Sequence, residues 1–194
     1  MTVLVTTASR HGSTAEIAAE IADTLTAHGI EVVVADPQDV ADVTGYDAVI
    51  LGSAVYAGHW LGPARELAGR MSAGLADRPV WLFSSGPIGD KPIEDPAEAS
   101  KLMSRAGARE HQIFGGKLDK KTLGFGEKAI LLAVHVPEGD YRDWAAIRRW
   151  AQQIADELTD HRSGHAAPTG PATRHPPVRP RGRLGSRQTD PAAD

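Results

Sequence analysis

Apolar positions along this chain alternate between two rhythms. Short unbroken runs stand at Val3–Val5, Val32–Val34, Ala48–Leu51 and Val80–Phe83. They are rich in β-branched or bulky residues, as in strands buried on both faces. Between them, apolar residues recur every three or four positions. Ile17, Ile21 and Leu25 form one such stripe, Leu67, Met71 and Leu75 a second, and Trp144, Ile147, Ala151, Ile154 and Leu158 a third. These stripes predict amphipathic helices. His28-Gly29 reads as a helix stop, Asp36-Pro37 as a turn, and Pro79 as the opening of a strand. Asp95-Pro96 starts a further helix to about Ala106, and His111–Gly116 reads as a fifth strand. Leu123–Val136 contains AILLAV, which periodicity alone assigns to neither class. Strands alternating with helices predict an α/β domain with a doubly wound parallel sheet, and right-handed crossovers place helices on both faces.

Three polar loops interrupt this pattern after strands one, three and four. The first contains Ser9, Arg10, His11, Gly12, Ser13 and Thr14. It joins a strand end to a helix start, where unpaired N–H groups and the helix dipole favour an anion. Ser13 and Glu16 also stand three apart, as in a capping box, so Ser13 has a purely structural reading as a cap. A cap leaves Ser9, Gly12 and Thr14 unexplained. The second loop, Gly52–Trp60, offers Tyr56, His59 and Trp60 around Ala57 and Gly58. The third, Ser84–Asp90, offers Ser85, Gly86 and Gly89, where backbone can approach a flat ring. In an open α/β sheet these loops gather at one edge, at the switch point in strand order. A phosphate at one end and a planar aromatic group at the other describe FMN.

Composition narrows the function classes. The 194 residues are 41% hydrophobic, enough for one domain with a core. There is no cysteine, which excludes disulfides, cysteine-ligated iron–sulfur clusters and thiol nucleophiles. No metal site is expected. No apolar run reaches the length of a membrane span, and no secretory signal is visible. A cytoplasmic location is the expectation. The net charge of −4 is uneven: six arginines and two aspartates lie from His161 onward, which leaves −8 on the preceding 160 residues. An acidic body argues against nucleic acid as the partner. From Ser163 to Asp194 there are six prolines and four glycines with two large aliphatics, Val178 and Leu184. That composition predicts a disordered, solvated basic tail after a folded domain of residues 1–162.

The phosphate loop resembles that of the flavodoxin-like family, whose pattern is Ser/Thr-x-Thr-Gly-x-Thr. Here it reads Ser9-Arg10-His11-Gly12-Ser13-Thr14, with His11 in place of a threonine. Gly52, Ser53, Gly58, His59, Trp60, Asp143 and Trp144 resemble the branch of the menaquinone-dependent protoporphyrinogen oxidase. The likeness runs from about residue 2 to 160. It implies a five-stranded parallel sheet in the order 2-1-3-4-5 and FMN as cofactor. Ser9, His11, Gly12, Ser13 and Thr14 would then hold the phosphate, with Arg10 beside it or turned to water. Ser53, Ala54, Val55, Tyr56, Ala57, Gly58 and Trp60 would flank the ring. Tyr56 or Trp60 would either stack on it or serve in packing. Ser85, Gly86, Gly89 and Asp90 would line its other side. The segment Lys117–Asp143 is shorter than the basic and aromatic insertion of that branch. It keeps Lys117, Lys120, Lys121, Lys128 and Arg142 with Phe125 and Tyr141, a modest basic patch.

Three functions follow. An oxidoreductase would pass electrons between a small substrate and a quinone-type acceptor, with His59 as the catalytic proton donor. A carrier would dock a redox partner protein through its acidic surface. A regulatory domain would keep the fold without flavin. A dinucleotide-binding domain is disfavoured because G-x-G-x-x-G is absent after the first strand. A phosphoacceptor receiver is disfavoured because Gly52 and Ser53 replace the aspartate ending strand three. Peripheral membrane contact and a homodimer are left open by the sequence.

Overall fold

A computed structural model describes residues 1–70, 72–76, 78–86, 99–119, 121 and 137–164. In chain order the elements are β1 (Thr2–Ala8), α1 (Ser13–Ala27), β2 (Glu31–Ala35), β3 (Ala48–Tyr56) and β4 (His59–Trp60). Then come α2 (Gly62–Arg70), α3 (Ser72–Ala76), β5 (Val80–Ser85), α4 (Ala99–Ala106) and β6 (Glu110–Phe114). Last are β7 (Lys117–Leu118), β8 (Gly139–Asp140) and α5 (Trp144–Gly164). Five strands pair in parallel in the order β2-β1-β3-β5-β6. Numbered among themselves, these are 2-1-3-4-5, as expected. β4 adds antiparallel to β3, and β7 and β8 form a separate two-stranded ribbon.

The sheet separates two apolar layers because successive strand residues face opposite ways. Val3, Val5, Ile50 and Phe83 face α1 and α5, where Ile17, Ile21, Leu25, Ile147, Ile154 and Leu158 are buried. Leu4, Val49, Leu51 and Leu82 face the other helices, with Leu67, Leu75 and Leu102. The helical stripe starting at Leu67 is divided between α2 and α3, and Met71 lies outside the described residues. So do AILLAV, the start of the helix predicted from Asp95, and the tail from residue 165.

α1 ends as predicted at His28-Gly29. Gly29 takes φ +75°, its N–H bonds to the Thr26 carbonyl at 2.9 Å, and the Ile30 N–H bonds to that of Leu25 at 3.2 Å. This is a Schellman closure, and it needs the left-handed conformation that glycine adopts without strain.

Several boundaries differ from the sequence reading; the fifth parallel strand, β6, runs from Glu110 to Phe114 and stops short of Gly116. Gly52–Trp60 is not one loop. β3 continues to Tyr56, turns at Ala57 (φ +50°) and Gly58 (φ +78°), and returns as β4. Positive φ at both central residues is the geometry of a two-residue type I′ hairpin. Small residues such as Ser53 and Ala54 carry no strand signal of their own. They are recruited because Ser53 pairs with Ala8 on one side and Ala54 with Ser85 on the other. For the same reason Ser84 and Ser85 belong to β5 rather than to the loop after it.

Candidate functional site

The carboxyl ends of β1, β3 and β5 converge as predicted, and the most informative is the β1–α1 turn. Gly12, not Ser13, occupies the N-cap, with φ +85° and its carbonyl accepting the Glu16 N–H at 2.9 Å. No side-chain cap is formed. The capping-box reading of Ser13 and Glu16 is therefore overturned. With Gly12 at the cap, Ser13 is the first helical residue and Glu16 the fourth, outside capping-box register. The first-turn N–H groups are left for something else.

Side-chain hydroxyls repeat this pattern. Thr7 Oγ1, Ser9 Oγ and Ser13 Oγ are buried and have no hydrogen-bond partner among the described residues. A buried unpaired polar group costs about 1–3 kcal/mol. Thr6 Oγ1 and Trp81 Nε1 are unpaired as well, each within a strand. Ser9 lies in the β1–α1 turn, Ser13 opens α1 and Thr7 stands near the end of β1, so three of these donors lie within seven residues of chain leading to a helix N-terminus, the chemistry of an anion cradle. Thr7 was missed in the sequence, where it reads only as the end of a strand. Thr14 is buried, His11 half-buried, and Gly12 exposed. Arg10 is exposed, and its guanidinium carbon lies 5.4 Å from the centre of the Tyr56 ring, so the first and second loops meet.

The second loop is partly redefined. Trp60 is 2% exposed and packs in the layer of α2 and α4. Its indole Nε1 donates to Ser84 Oγ at 2.7 Å, and Ser84 Oγ lies 2.8 Å from His111 Nε2. Trp60 is thus core rather than a stacking platform, and the packing alternative holds for it. Ser53 is fully buried; its hydroxyl donates to the Ala54 carbonyl and accepts the Leu61 N–H at 2.9 Å. It anchors the base of the hairpin, and Ala54 is buried beside it. The hairpin exposes Tyr56, Ala57, Gly58 and His59, with Val55 half-buried. Tyr56 and His59 are cross-strand partners.

In the third loop Ser85 is buried, and the Gly86 N–H donates to the Phe114 carbonyl at 3.0 Å. Gly86 has φ +116°, and a Cβ there would stand 3.7 Å from the Val55 carbonyl. The ends of β3 and β5 therefore abut. Gly89 and Asp90 lie outside the described residues.

One group reaches the site from far along the chain. Arg142 has a side chain only 1% exposed. Its Nε and Nη2 donate to the two carboxylate oxygens of Asp140 at 2.7 and 2.6 Å. Its Nη1 donates to Glu16 Oε2 at 2.8 Å and to the Ser13 carbonyl at 3.0 Å. Arg142 is therefore not part of a surface basic patch, as its sequence neighbourhood suggested. Its distance from residue 13 hid the contact. Next to it, Asp143 caps α5, accepting the Ala146 N–H at 2.9 Å.

The hydrogen bond from the Arg142 side chain, opposed by partial desolvation and helped by the Arg142 N–H, holds the Asp140 carboxyl below the usual carboxylate range. A depressed carboxylate stabilises the fold above its unfolded pKa, and that contribution is lost as pH falls through the folded value. Thermal melts from neutrality downward should show the wild type losing stability below about pH 4, partly through this pair. Asp140→Asn should melt lower at neutral pH and fall less steeply in acid. Parallel profiles for the two proteins would show that the pair contributes nothing.

Strand order, a first turn with an uncapped helix start and two further loops at the same edge define an open α/β protein with its loops gathered at the switch point in strand order. A family model described as "Flavodoxin domain" matches residues 4–144. The chain belongs to the flavodoxin domain family, whose members bind FMN. Its fold is similar to that of a flavodoxin from the domain Archaea, at 17% identity and TM-score 0.58, over 82% of this chain and 99% of that one. It is also similar to the flavodoxin of Streptococcus pneumoniae TIGR4, at 18% identity and TM-score 0.53, over 83% of this chain and 99% of that one. Flavodoxin 1 from Bacillus cereus, in its oxidised form, matches at 16% identity and TM-score 0.53, over 83% of this chain and 99% of that one. No curated protein matches the chain. Among the described residues, no helix is long and apolar enough to cross a membrane.

Proposed function

We propose that this protein is an FMN-binding redox protein that exchanges electrons at the exposed β3–β4 hairpin. The observation that carries the reading is the set of unpaired buried hydroxyls on Thr7, Ser9 and Ser13, in the stretch that leads from β1 into the first residue of α1. They fit a phosphate, which accepts several hydrogen bonds and brings no donor of its own at full ionisation. Bound FMN would supply the electron-transfer chemistry. The chain's own work is to hold and shield. Ser9, Gly12, Ser13 and Thr14 would present hydroxyls and N–H groups to the phosphate, joined by Thr7 and His11. Tyr56 offers its ring face beside Ala57 and Gly58, and Arg10 lies over that ring. Ser85 and Gly86 form the opposing edge; a role for Gly89 and Asp90 there rests on the sequence reading alone. Ser53, Ala54 and Trp60 act one layer deeper, keeping the hairpin in place. Purified protein mixed with FMN and freed of excess should retain the visible flavin bands. Protein that stays colourless would overturn the reading.

A second, finer reading makes the protein an oxidoreductase acting on a small quinone-type acceptor, akin to the protoporphyrinogen oxidase branch. It is favoured by His59, which is exposed on the hairpin opposite Tyr56 and so accessible to a bound small molecule. There His59 would hand a proton to the acceptor as it is reduced. His59→Gln should then slow quinone reduction by about tenfold or more while FMN retention is unchanged. An unchanged rate would remove His59 from the reaction. If the acceptor is instead a protein docked through the acidic surface, the transfer rate should fall steeply with added salt.

A further inference from the structure

Arg142 follows the β7–β8 ribbon, yet its guanidinium ends at the first turn of α1. Burying a guanidinium carries a desolvation cost that ion pairs often fail to offset, so the arrangement is poorly explained as a source of stability alone. It is better explained by what it aims. The Ser13 carbonyl and the Thr14 N–H belong to one planar trans peptide and point in opposite directions. Arg142 Nη1 holds that carbonyl at 3.0 Å. Fixing one end of the peptide unit fixes the other, and the Thr14 N–H is one of the first-turn donors with no partner inside the helix.

Glu16 presents a separate obstacle to an anion. Its carboxylate sits in the first turn of α1, where an incoming phosphate would be repelled by it. Arg142 Nη1 covers this charge at 2.8 Å. The guanidinium is itself held in place by both oxygens of Asp140 and by the face of Trp144, whose ring centre is 4.4 Å from Cζ. Only a planar fork can satisfy the two carboxylates and the carbonyl together.

We propose that Arg142 is a positioning residue for the phosphate cradle, aiming the Ser13–Thr14 peptide and neutralising Glu16 so that α1 can receive a phosphate beside a carboxylate. This rests on the flavin reading above and assigns that site a specificity element for the phosphate of FMN.

The test compares FMN with riboflavin, which carries the same ring and no phosphate. Affinities for both are measured by fluorescence quenching on the full chain. Arg142→Met should lower FMN affinity about tenfold, the worth of one charge-assisted contact. Riboflavin affinity should change by less than about twofold. Adding Glu16→Gln to Arg142→Met should recover most of the lost FMN affinity. Arg142→Lys guards against a folding failure, since it keeps the charge and most of the volume but loses the fork; it should lower the FMN-to-riboflavin ratio severalfold. A purely structural Arg142 would move both ligands together, so an unchanged ratio in both Arg142 variants overturns the proposal. A double variant as weak as Arg142→Met overturns the neutralisation of Glu16. A wild type that holds neither flavin overturns the flavin reading and this proposal with it. A wild type that holds FMN, with variants of unaltered ratio, overturns this proposal alone.

Discussion

Ser9→Ala combined with Ser13→Ala should weaken FMN binding about a hundredfold or more and leave riboflavin binding nearly intact. Each hydroxyl would donate to an anionic oxygen, and hydrogen bonds to charged groups are worth about 1.5–3 kcal/mol. The flavin-free protein should behave in the opposite way. Ser9 Oγ and Ser13 Oγ are buried without partners, so removing them relieves a cost. The double variant should therefore melt at the same temperature as the flavin-free wild type or higher, with a gain of about 1–2 kcal/mol. Looser FMN binding together with a firmer empty fold distinguishes a ligand site from a packing defect. Equal loss of FMN and riboflavin would show that these hydroxyls hold no phosphate.

Gly52→Ala should be the most damaging single methyl addition in the sheet. A Cβ at residue 52 would overlap Phe83 Cζ, Cε1 and Cε2, well inside contact distance. Phe83 cannot retreat. It is fully buried, with ring centres of Phe114 and Trp150 at 6.1 and 6.2 Å, and these two rings are 5.6 Å apart. Overpacking of a close-packed core costs about 1–3 kcal/mol, and a rigid ring cluster belongs at the upper end. For a chain of this size, about 3 kcal/mol lowers the melting temperature by roughly 6–12 °C. Because β3 feeds the hairpin of Tyr56 and His59, flavin retention should fall with stability. A melt indistinguishable from the wild type would mean that the aromatic cluster yields, contrary to the packing described. Phe83→Leu in the Gly52→Ala background should restore part of the loss, since it withdraws the atoms the new methyl meets.

Local signals and long-range pairing part company among the three loops. The turn from Ser9 to Thr14 between β1 and α1 was recognisable because the signal is local: a strand end, hydroxyls, a glycine and a helix start. The role of Gly12 as cap was not, since choosing between Gly12 and Ser13 takes only one residue of register. Trp60 and Tyr56 looked equivalent as aromatic neighbours of two small residues. The hairpin turn at Ala57-Gly58 separates them, placing Trp60 in the core at 2% exposure and leaving Tyr56 37% exposed. Side chains on one strand alternate in facing, but the extent of that strand was decided by its neighbours β1 and β5.

The elements and their layering are written in the order of residues. Unbroken apolar runs require a sheet covered on both faces, and stripes at helical spacing provide the covers. Strand–helix alternation with a constant crossover hand then leaves few topologies. Which polar groups are left for a ligand was settled in three dimensions. Ser53 is satisfied and Ser9 is not, although in the sequence both are serines that follow an apolar run. The closed fold also brought Arg142 to Ser13 and Glu16, which lie 129 and 126 residues away in the chain. One cause underlies both. Periodicity reports how a segment meets the apolar interior, a property each segment carries within itself. Hydrogen-bond satisfaction is a property of pairs, and for groups distant in the chain the partner exists only once the sheet has closed around it.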